Sequence, residues 1–288
     1  MAGLVTRFAP SPTGPLHLGH AFSALLGFDM AQAAGGRFLL RIEDIDQTRS
    51  RPAWEAQIYD DLRWLGINWE SPVMRQSDRM PAYQAALDDL WARGLLYPCS
   101  CTRRDIEQAL SAPQEGVSPA HGPDGPVYPG TCRHRPTGPR PRDAVLRLNM
   151  AAALQICGDT CFTESASDLA GTITTSAQAY QTGIGDIVLA RREMGTSYHL
   201  SVVIDDAAQG ISHVMRGADL FEATRIHILL QRLLGLPQPV YHHHRLIRDD
   251  SGKRLAKRDD ARALAKYRAE GATPANIRQM VGLQKAGM

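Results

Sequence analysis

The sequence predicts an α/β fold built on a Rossmann-like parallel sheet that is divided by an insertion. Near the N-terminus a strand, a turn and a helix are followed directly by a second strand, and this order requires a crossover between parallel strands. Strand-like and helical patterns return after residue 185, beyond a segment rich in proline and glycine. An open sheet of this kind binds ligands at the carboxyl ends of its strands.

The first elements follow from hydrophobic periodicity and from the residues that begin and end helices. Gly35 and Gly36 end an apolar helix, and Pro52 lies in the first turn of a later one. Apolar residues that recur with a period of 2 predict the strands, and those that recur with a period of 3.6 predict the helices. In order, we predict a strand at 4–9, a helix at 16–34, a strand at 37–42, and two helices, one beginning near Pro52 and one covering about 81–93.

The middle of the chain has the composition of a loop, because residues 111–142 hold eight prolines and five glycines. We place the insertion at about 95–185. Beyond it we predict strands at 186–191, 198–204, 211–216 and near 240–247, a helix from about Asp219 to Leu234, and two short C-terminal helices, the last capped at Thr273-Pro274. The predicted domain organisation is 1–94 for the first half of the catalytic domain, 95–185 for the insertion, 186–249 for the second half, and 250–288 for a basic loop and short helices.

Composition excludes some classes of protein and leaves others open. The chain has 288 residues, a net charge of +2 and a pI near 8.3, values that neither require nor exclude nucleic acid as a partner. No apolar run is long enough to span a membrane, and the N-terminus lacks a secretory signal, so we expect a cytoplasmic protein. Five cysteines in a reducing compartment favour metal ligands or free thiols over disulfides.

The turn between the first strand and the first helix is the most informative segment. Gly14 and Gly19 allow a ligand to approach the backbone, and the helix N-terminus attracts phosphate. His17 and His20 lie one turn apart and can donate hydrogen bonds to charge that develops at an α-phosphate. An ordinary turn with two surface histidines is the alternative interpretation.

A basic segment, Gly252–Arg258, follows the last predicted strand. A mobile basic loop can neutralise a triphosphate in the transition state, whereas the alternative is a solvated basic turn. Two phosphate-handling segments at opposite ends of one chain support each other.

The segments RFAPSPTGPLHLGH and RIEDIDQTRS resemble the glutamyl-tRNA synthetase family of class I synthetases. HLGH takes the place of the HIGH signature, and Arg254–Arg258 takes that of the KMSKS loop, with Arg for the first Lys and Ala for Ser. The resemblance implies that Lys257 contacts ATP, that Mg²⁺ accompanies ATP, and that catalysis and ATP binding use His17, Gly19, His20 and Lys257.

A pocket selective for glutamate needs cations for two carboxylates and an acid for the ammonium group. By resemblance, Arg7 and Arg216 bind carboxylates and Glu43 binds the ammonium, and which arginine takes which carboxylate stays open. The full set of implied glutamate contacts is Arg7, Phe8, Ala9, Pro10, Ser11, Glu43, Tyr198 and Arg216. The remaining acids are expected to pair with nearby arginines or to cap helices, namely Asp44, Asp46, Asp205 and Asp206.

Three cysteines flank the proline-rich loop and predict a zinc site, because thiolates are preferred zinc ligands. The motif YPGTC after a Cys-x-Cys pair resembles the zinc-binding pattern of the glutamyl-Q tRNA(Asp) synthetase family, which implies Cys99, Cys101, Tyr128 and Cys132 as ligands. His121 or His134 remain alternatives for the fourth ligand. Cys157 and Cys161 are interpreted as free thiols, and His242–His244 as strand residues that cannot converge on a metal.

Only 31 residues follow Lys257, too few for the anticodon-binding domains of a full glutamyl-tRNA synthetase. This also resembles the glutamyl-Q tRNA(Asp) synthetases, which activate glutamate without tRNA and esterify it to queuosine at the wobble position of tRNA(Asp). The expected partners are ATP, L-glutamate and tRNA(Asp), and the expected state is a monomer. RNA phosphates would bind in the insertion, with Arg133, Arg135, Arg140, Arg142 and Arg147 as candidates.

Three alternatives remain open from the sequence. The chain could charge the 3′ end of tRNA(Glu) or tRNA(Gln), as a shortened synthetase. It could transfer a nucleotide to a small molecule, because HxGH also serves that class of enzyme. It could be a non-catalytic tRNA-binding module, although the HLGH turn and Lys257 argue against this.

Overall fold

The computed structural model describes residues 3–110, 120–133, 138–166, 168–247 and 262–283. The first half of the chain forms β1 (Val5–Phe8), α1 (Leu18–Ala33), β2 (Arg37–Ile42), α2 (Pro52–Trp64), β3 (Met74–Arg75), α3 (Met80–Ala92), β4 (Leu96–Cys99), α4 (Arg103–Leu110), β5 (His121–Gly122) and β6 (Gly125–Pro126). The second half forms β7 (Val145–Leu148), α5 (Met150–Cys157), β8 (Thr160–Glu164), β9 (Gly171–Thr175), α6 (Ala177–Gly183), β10 (Val188–Ala190), α7 (Tyr198–Ala208), β11 (His213–Gly217), α8 (Phe221–Leu233), β12 (Val240–His244), α9 (Leu264–Ala269) and α10 (Pro274–Met280).

The predicted parallel α/β sheet is confirmed. β1 pairs in parallel with β2, and β2 with β3, while α1 makes the crossover between the first two strands. A second group of strands contains β11, which pairs in parallel with β12. Ser212 joins the two groups of strands, because its N–H donates to the Val5 carbonyl at 3.0 Å and its Oγ accepts from the Val5 N–H at 2.8 Å.

Part of the predicted insertion returns to this sheet. β8 pairs in parallel with β12, with Glu164 opposite Tyr241, and β9 pairs antiparallel with β8 at the edge. Among the other strands, β4, β7 and β10 form a separate antiparallel sheet, and β5 and β6 form a short hairpin. The boundaries 95–185 stay a prediction, but the sheet draws side chains from within them, and Glu164 is one.

One predicted element is wrong. Residues 198–204 were expected to form a strand, and they form the start of α7 instead. Ser197 caps this helix by accepting the Leu200 N–H at 3.3 Å. Leu200, Val202 and Val203 are all buried, so the segment has no solvent-exposed polar face. Its hydrophobic pattern is therefore the same as that of a buried strand.

The end of the described chain agrees with the sequence prediction. Thr273 caps α10, its side chain accepts the Asn276 N–H, and Pro274 occupies the first turn. The predicted strand near 240–247 is shorter, because β12 ends at His244. Within the described residues, no helix combines the length and apolarity required to cross a membrane.

Candidate active site

The HLGH turn lies where β1 leads into α1, at the carboxyl end of the sheet. His17 is the N-cap of α1, and its Nδ1 accepts the Gly19 N–H at 3.1 Å. His20 Nδ1 accepts the His17 N–H at 3.2 Å, and the two imidazole centroids lie 3.8 Å apart. This capping box fixes both rings at the helix N-terminus, where positive dipole faces an incoming phosphate.

Residues 248–261, with the basic segment and Lys257, lie outside the described residues, but the chain on either side reaches the HLGH turn. Ile247 packs in the same apolar cluster as Leu16. Ala263 forms an antiparallel bridge with His17, and the Leu264 N–H donates to the Leu16 carbonyl at 2.8 Å. The C-terminal end of the segment that holds Lys257 therefore lies beside the predicted ATP turn, and its N-terminal end packs in the same apolar cluster as Leu16.

A cavity of about 270 Å³ opens beside this turn. Of the predicted glutamate contacts, Ser11, Glu43 and Tyr198 line it, whereas Phe8 packs in the core. Ala9 and Pro10 continue the chain from β1, and the Pro10 carbonyl accepts the Glu43 N–H at 3.0 Å. The other residues that line the cavity are Thr13, Ile45, Asp46, Arg49, Gln76, Asp124, Val188, Arg191, Met194, Ser197 and His199.

Tyr198 connects this cavity with the two predicted arginines. Burial raises the pKa of its hydroxyl, and the charges of Arg216, Glu43 and Arg7 all act on it. Glu43 and Tyr198 line the cavity, whereas Arg7 and Arg216 do not line it and are buried behind Tyr198, close enough for their charges to act on its hydroxyl. Their roles as glutamate contacts stay a prediction.

Arg7 is engaged by an acidic partner. It donates to both carboxylate oxygens of Asp206, and Arg41 donates to the same group at 2.7 Å. Burial opposes ionisation, but Arg7 and Arg41 outweigh it and lower the pKa of Asp206 to about 2. Arg41 also donates to Glu43 at 3.0 Å, although burial still raises the pKa of that carboxyl.

Arg216 has a different environment. Its Nε donates to His243 at 3.1 Å, Nη1 contacts His227 Nδ1 at 2.9 Å, and Nη2 donates to the Thr224 hydroxyl at 2.5 Å. All three acceptors are neutral groups, and no carboxylate of the described residues lies within 4 Å of this guanidinium. The side chain is buried, yet its charge has no acidic partner in that part of the chain.

The two histidines beside Arg216 are kept uncharged. Burial and the charge of Arg216 lower the pKa of His227 well below its usual value. The same two causes lower the pKa of His243 to about 4, although Glu164 acts in the opposite direction. Glu164 accepts from His243 Nδ1 in a short contact and also from the His243 N–H at 3.0 Å.

The remaining acids behave as expected from the sequence. Asp44 caps Ser77, Asp46 pairs with Arg49 at 3.1 Å, and Asp205 pairs with Arg79 at 3.2 Å. They are structural partners of arginines or caps.

Sequence reasoning missed several groups around the pocket, and only one had a local signal. Arg41 lies two residues before Glu43 on an extended chain, so the two side chains share a face. Gln76 is fully buried at the cavity, and its Oε1 has no hydrogen-bond partner among the described residues. Tertiary packing brings His199 to the cavity and brings His227 and His243 to Arg216. No spacing in the sequence predicts these contacts.

The three predicted metal-ligating cysteines converge. The Sγ atoms of Cys99, Cys101 and Cys132 all lie within 4.8 Å of one another. The Tyr128 hydroxyl lies 3.4 Å from the first and 3.2 Å from the second. His121 does not belong to this group of ligand atoms, and His134 lies outside the described residues.

The donor set fits a tetrahedral thiolate-rich metal site, since Zn–S bonds of about 2.3 Å place sulfurs about 4 Å apart. Burial would raise the pKa of Cys132, but hydrogen bonds from Tyr128 and from the Ser100 backbone lower it to about 6. A thiol that ionises near neutral pH is ready to bind a cation. Of the other two cysteines, Cys157 is buried and Cys161 exposed, and both are free.

Four of the five candidate RNA-binding arginines have protein partners. Arg133 pairs with Asp186 at 2.8 Å, and Arg140 and Arg142 both pair with Asp88. Arg147 stacks on the Tyr128 ring with its guanidinium carbon 3.9 Å from the ring centre. The fifth, Arg135, lies outside the described residues, and RNA contact stays a prediction.

Comparison with known proteins identifies the family. The sequence matches the catalytic domain of class I tRNA synthetases (E and Q) over residues 3–288. A glutamyl-Q tRNA(Asp) synthetase of Rhodobacter capsulatus is 65% identical over 286 residues, covering 97% of this chain and 100% of its own. The chain belongs to the glutamyl-Q tRNA(Asp) synthetase family. A second member, from Nocardia farcinica, is 42% identical over 271 residues, covering 94% of this chain and 81% of its own.

Solved structures agree with the class I synthetase fold. A glutamate tRNA ligase from Elizabethkingia meningosepticum in complex with its amino acid superposes with a TM-score of 0.76 at 26% identity, covering 98% of this chain and 60% of its own. The Mycobacterium tuberculosis methionyl-tRNA synthetase, at 10% identity and a TM-score of 0.59, shares the fold alone. The protein is thus a ligase with the class I synthetase catalytic domain.

Proposed function

We propose that the protein activates L-glutamate with ATP in the absence of tRNA and transfers the glutamyl group to queuosine at the wobble position of tRNA(Asp). The similarity to the glutamyl-Q tRNA(Asp) synthetases of Rhodobacter and Nocardia supports the acceptor, and the class I domain supports ATP as the source of energy. The cavity lined by Ser11, Glu43 and Tyr198, with Arg7 and Arg216 buried close to Tyr198, supports a small dicarboxylic amino acid.

The environment of Arg216 is the observation that carries the proposal. A guanidinium has five N–H donors, and the structure assigns three of them to His243, His227 and Thr224. One N–H therefore remains on each terminal nitrogen, which is the pair that a carboxylate accepts in bidentate fashion. A buried, positively charged group with neutral neighbours is completed by an anionic ligand.

We assign the side-chain carboxylate of glutamate to Arg216. This carboxylate stays ionised throughout the reaction, so a permanent positive charge stabilises it at every step. Arg7 is already neutralised by Asp206, and it suits the α-carboxylate, which loses its charge when it becomes an acyl phosphate. Glu43 and the unpartnered Oε1 of Gln76 offer acceptors for the α-ammonium group.

The first chemical step joins glutamate to AMP. An α-carboxylate oxygen attacks the α-phosphorus of ATP, the bond to the β-phosphate oxygen breaks, and pyrophosphate leaves. His17 and His20, fixed at the N-terminus of α1, stabilise the negative charge that develops on the α-phosphate, and we expect Lys257 to act there as well. Mg²⁺ bound with ATP would neutralise part of the triphosphate charge.

The second step is acyl transfer. A hydroxyl of the acceptor attacks the glutamyl carbonyl carbon, and AMP leaves with the bonding electron pair while the hydroxyl proton goes to solvent or to phosphate. No protein nucleophile is required, so positioning and electrostatic stabilisation supply the rate.

We also propose that Cys99, Cys101, Cys132 and Tyr128 hold one structural zinc ion. Residues 111–142 are rich in proline and glycine and offer few apolar side chains for a core, and a metal crosslink stabilises such a segment. Zinc takes no part in the chemistry proposed for the ATP site.

Two assays test the proposed function. Exchange of labelled pyrophosphate into ATP should require glutamate and proceed without tRNA. Labelled glutamate should then enter tRNA(Asp) from queuosine-containing cells but not from cells that lack queuosine. Nuclease digestion should place the label on the anticodon nucleoside, whereas label on the 3′-terminal adenosine would favour a shortened 3′-charging synthetase. Exchange without glutamate would favour a small-molecule nucleotidyltransferase, and absence of exchange would favour a non-catalytic module.

A further inference from the structure

A chain of polar contacts runs from Arg216 to the inserted β5–β6 hairpin. Arg216 Nη1 lies 2.9 Å from His227 Nδ1. His227 Nε2 lies 3.1 Å from His199 Nδ1. His199 Nε2 lies 3.5 Å from Oδ1 of Asp124, which is the residue before β6.

The order of donors and acceptors in this chain is determined at both ends. A guanidinium only donates, so His227 Nδ1 accepts and the ring proton of His227 lies on Nε2. That proton is donated to His199 Nδ1, which places the proton of His199 on Nε2. The carboxylate of Asp124 has no proton to donate, and its negative charge 3.5 Å from His199 Nε2 favours this arrangement in both rings.

The two rings also lie at the pocket proposed for glutamate. Tyr198 packs against both, with ring centroids 5.3 Å from His199 and 5.7 Å from His227. His199 and Asp124 line the cavity. His227 is fully buried behind them, between the cavity wall and Arg216.

Histidine at this place has a specific electrostatic consequence. Asp206 accepts from Arg7 and cancels its charge, whereas a neutral imidazole accepts from Arg216 and leaves the charge intact. Arg216 is thereby held in one orientation while it keeps its attraction for an anion. Orienting a guanidinium without neutralising it is what a selective carboxylate site needs.

We propose that His227 and His199 are positioning residues for substrate glutamate, which orient Arg216 through His227 Nδ1, and that Asp124 of the inserted hairpin fixes the proton arrangement of both rings. The inference rests on the proposed binding of glutamate at Arg216. It assigns specificity roles to residues outside the HLGH turn, the basic segment and the predicted glutamate contacts. It also gives the insertion a role in the amino-acid pocket that is separate from any contact with RNA.

Three variants of the full-length enzyme test this role by glutamate-dependent ATP–pyrophosphate exchange. His227→Phe keeps a ring but removes both nitrogens, so the KM for glutamate should rise about tenfold or more, the cost of losing a hydrogen bond to a charged group. His227→Gln restores an acceptor and a donor with similar reach, and its KM should return to within about threefold of wild type. Asp124→Ala, at an exposed position, should raise the same KM by about two- to fivefold. The KM for ATP should change less than about twofold in all three, because the chain of contacts reaches the amino acid only.

The outcomes separate this inference from the proposed function. A wild-type enzyme that shows no glutamate-dependent exchange defeats the proposed function itself. If wild type is active, equal KM values for glutamate in the Phe and Gln variants would overturn the positioning role. A lower kcat, a higher KM for ATP and a lower thermal midpoint, all changing together, would also overturn it, because they indicate a purely structural role for His227. If the Phe variant does not fold, Asp124→Ala with an unchanged KM for glutamate overturns the inference.

Discussion

Both carboxylate oxygens of Asp206 accept hydrogen bonds from the guanidinium of Arg7, at 3.0 Å from Nε and at 3.3 Å from Nη2. Asp206 comes from α7 and Arg7 from β1, so this pair fixes the helix against the first strand of the sheet. Arg41 donates to the same carboxylate at 2.7 Å, and all three side chains are buried. Asp206 therefore bridges two buried cations, of which Arg41 also pairs with Glu43 at 3.0 Å.

Replacing this charge should be costly. Asp206→Asn leaves two buried guanidinium groups without their common anion, and we expect the free energy of unfolding to fall by about 3–5 kcal/mol. Urea denaturation at pH 7 measures the change. The control is Asp89→Asn, which removes an exposed ion pair with Arg93 and should cost less than about 1 kcal/mol. Equal decreases in the free energy of unfolding of the two variants would show that the buried ion-pair network contributes no more to stability than an exposed ion pair.

Arg216 should control the choice between glutamate and glutamine. Arg216→Leu removes the only charge assigned to the side-chain carboxylate, so kcat/KM for glutamate should fall by about 10³-fold or more. Because glutamine has no charge to lose there, the preference of the enzyme for glutamate should collapse in this variant. Exchange assays with each amino acid measure the ratio, and calorimetric titration with ATP should give nearly the wild-type affinity.

The matched control for that experiment is Arg232→Leu, on the exposed side of α8, where Arg232 bonds only to the Asp159 carbonyl among the described residues. This variant should keep wild-type selectivity. Unchanged glutamate exchange in Arg216→Leu would remove Arg216 from the pocket.

The cysteine cluster predicts a measurable metal content. Protein purified without chelators should contain about one zinc per chain, as expected for three thiolates and one further ligand. Cys101→Ser should lose the metal and lower the thermal midpoint, because the cluster closes the loop between β4 and β7. Cys161→Ser, at an exposed free thiol, is the control and should keep both properties. A zinc-to-protein ratio near zero in the wild type contradicts the assignment.

Much of the fold could be predicted from local signals. The short apolar runs of β1 and β2, the glycine after α1 and the Thr-Pro start of α10 are signals that lie within a few residues, so they can be recognised in one sequence. α7 could not be predicted, because its buried Leu and Val residues give a helix and a buried strand the same pattern. Its type is set by what packs around it.

The same distinction holds for the site. The HLGH turn was visible because all of its parts lie within one segment. Arg216 lies in β11, its neighbours come from α8 and β12, and Glu164 comes from β8 inside the predicted insertion. Such a network depends on strand order and register, which the sequence alone does not provide. His227 and His199 were therefore beyond the reach of motif analysis.

The buried histidines should make stability depend on pH between about 6.5 and 5. Burial and the charge of Arg216 lower the pKa of His243 to about 4, although Glu164 opposes this, and the pKa of His227 also lies far below its usual value. In this range the unfolded chain binds protons that the folded chain does not, so the free energy of unfolding falls as the pH falls, by up to about 2 kcal/mol per histidine. Urea denaturation at pH 7.5 and pH 5 measures the difference. His243→Gln cannot titrate and should show a smaller difference than wild type, whereas His242→Gln, on the opposite face of β12, should match wild type. Equal pH dependence in His243→Gln and wild type would mean that His243 is not a neutral acceptor for Arg216.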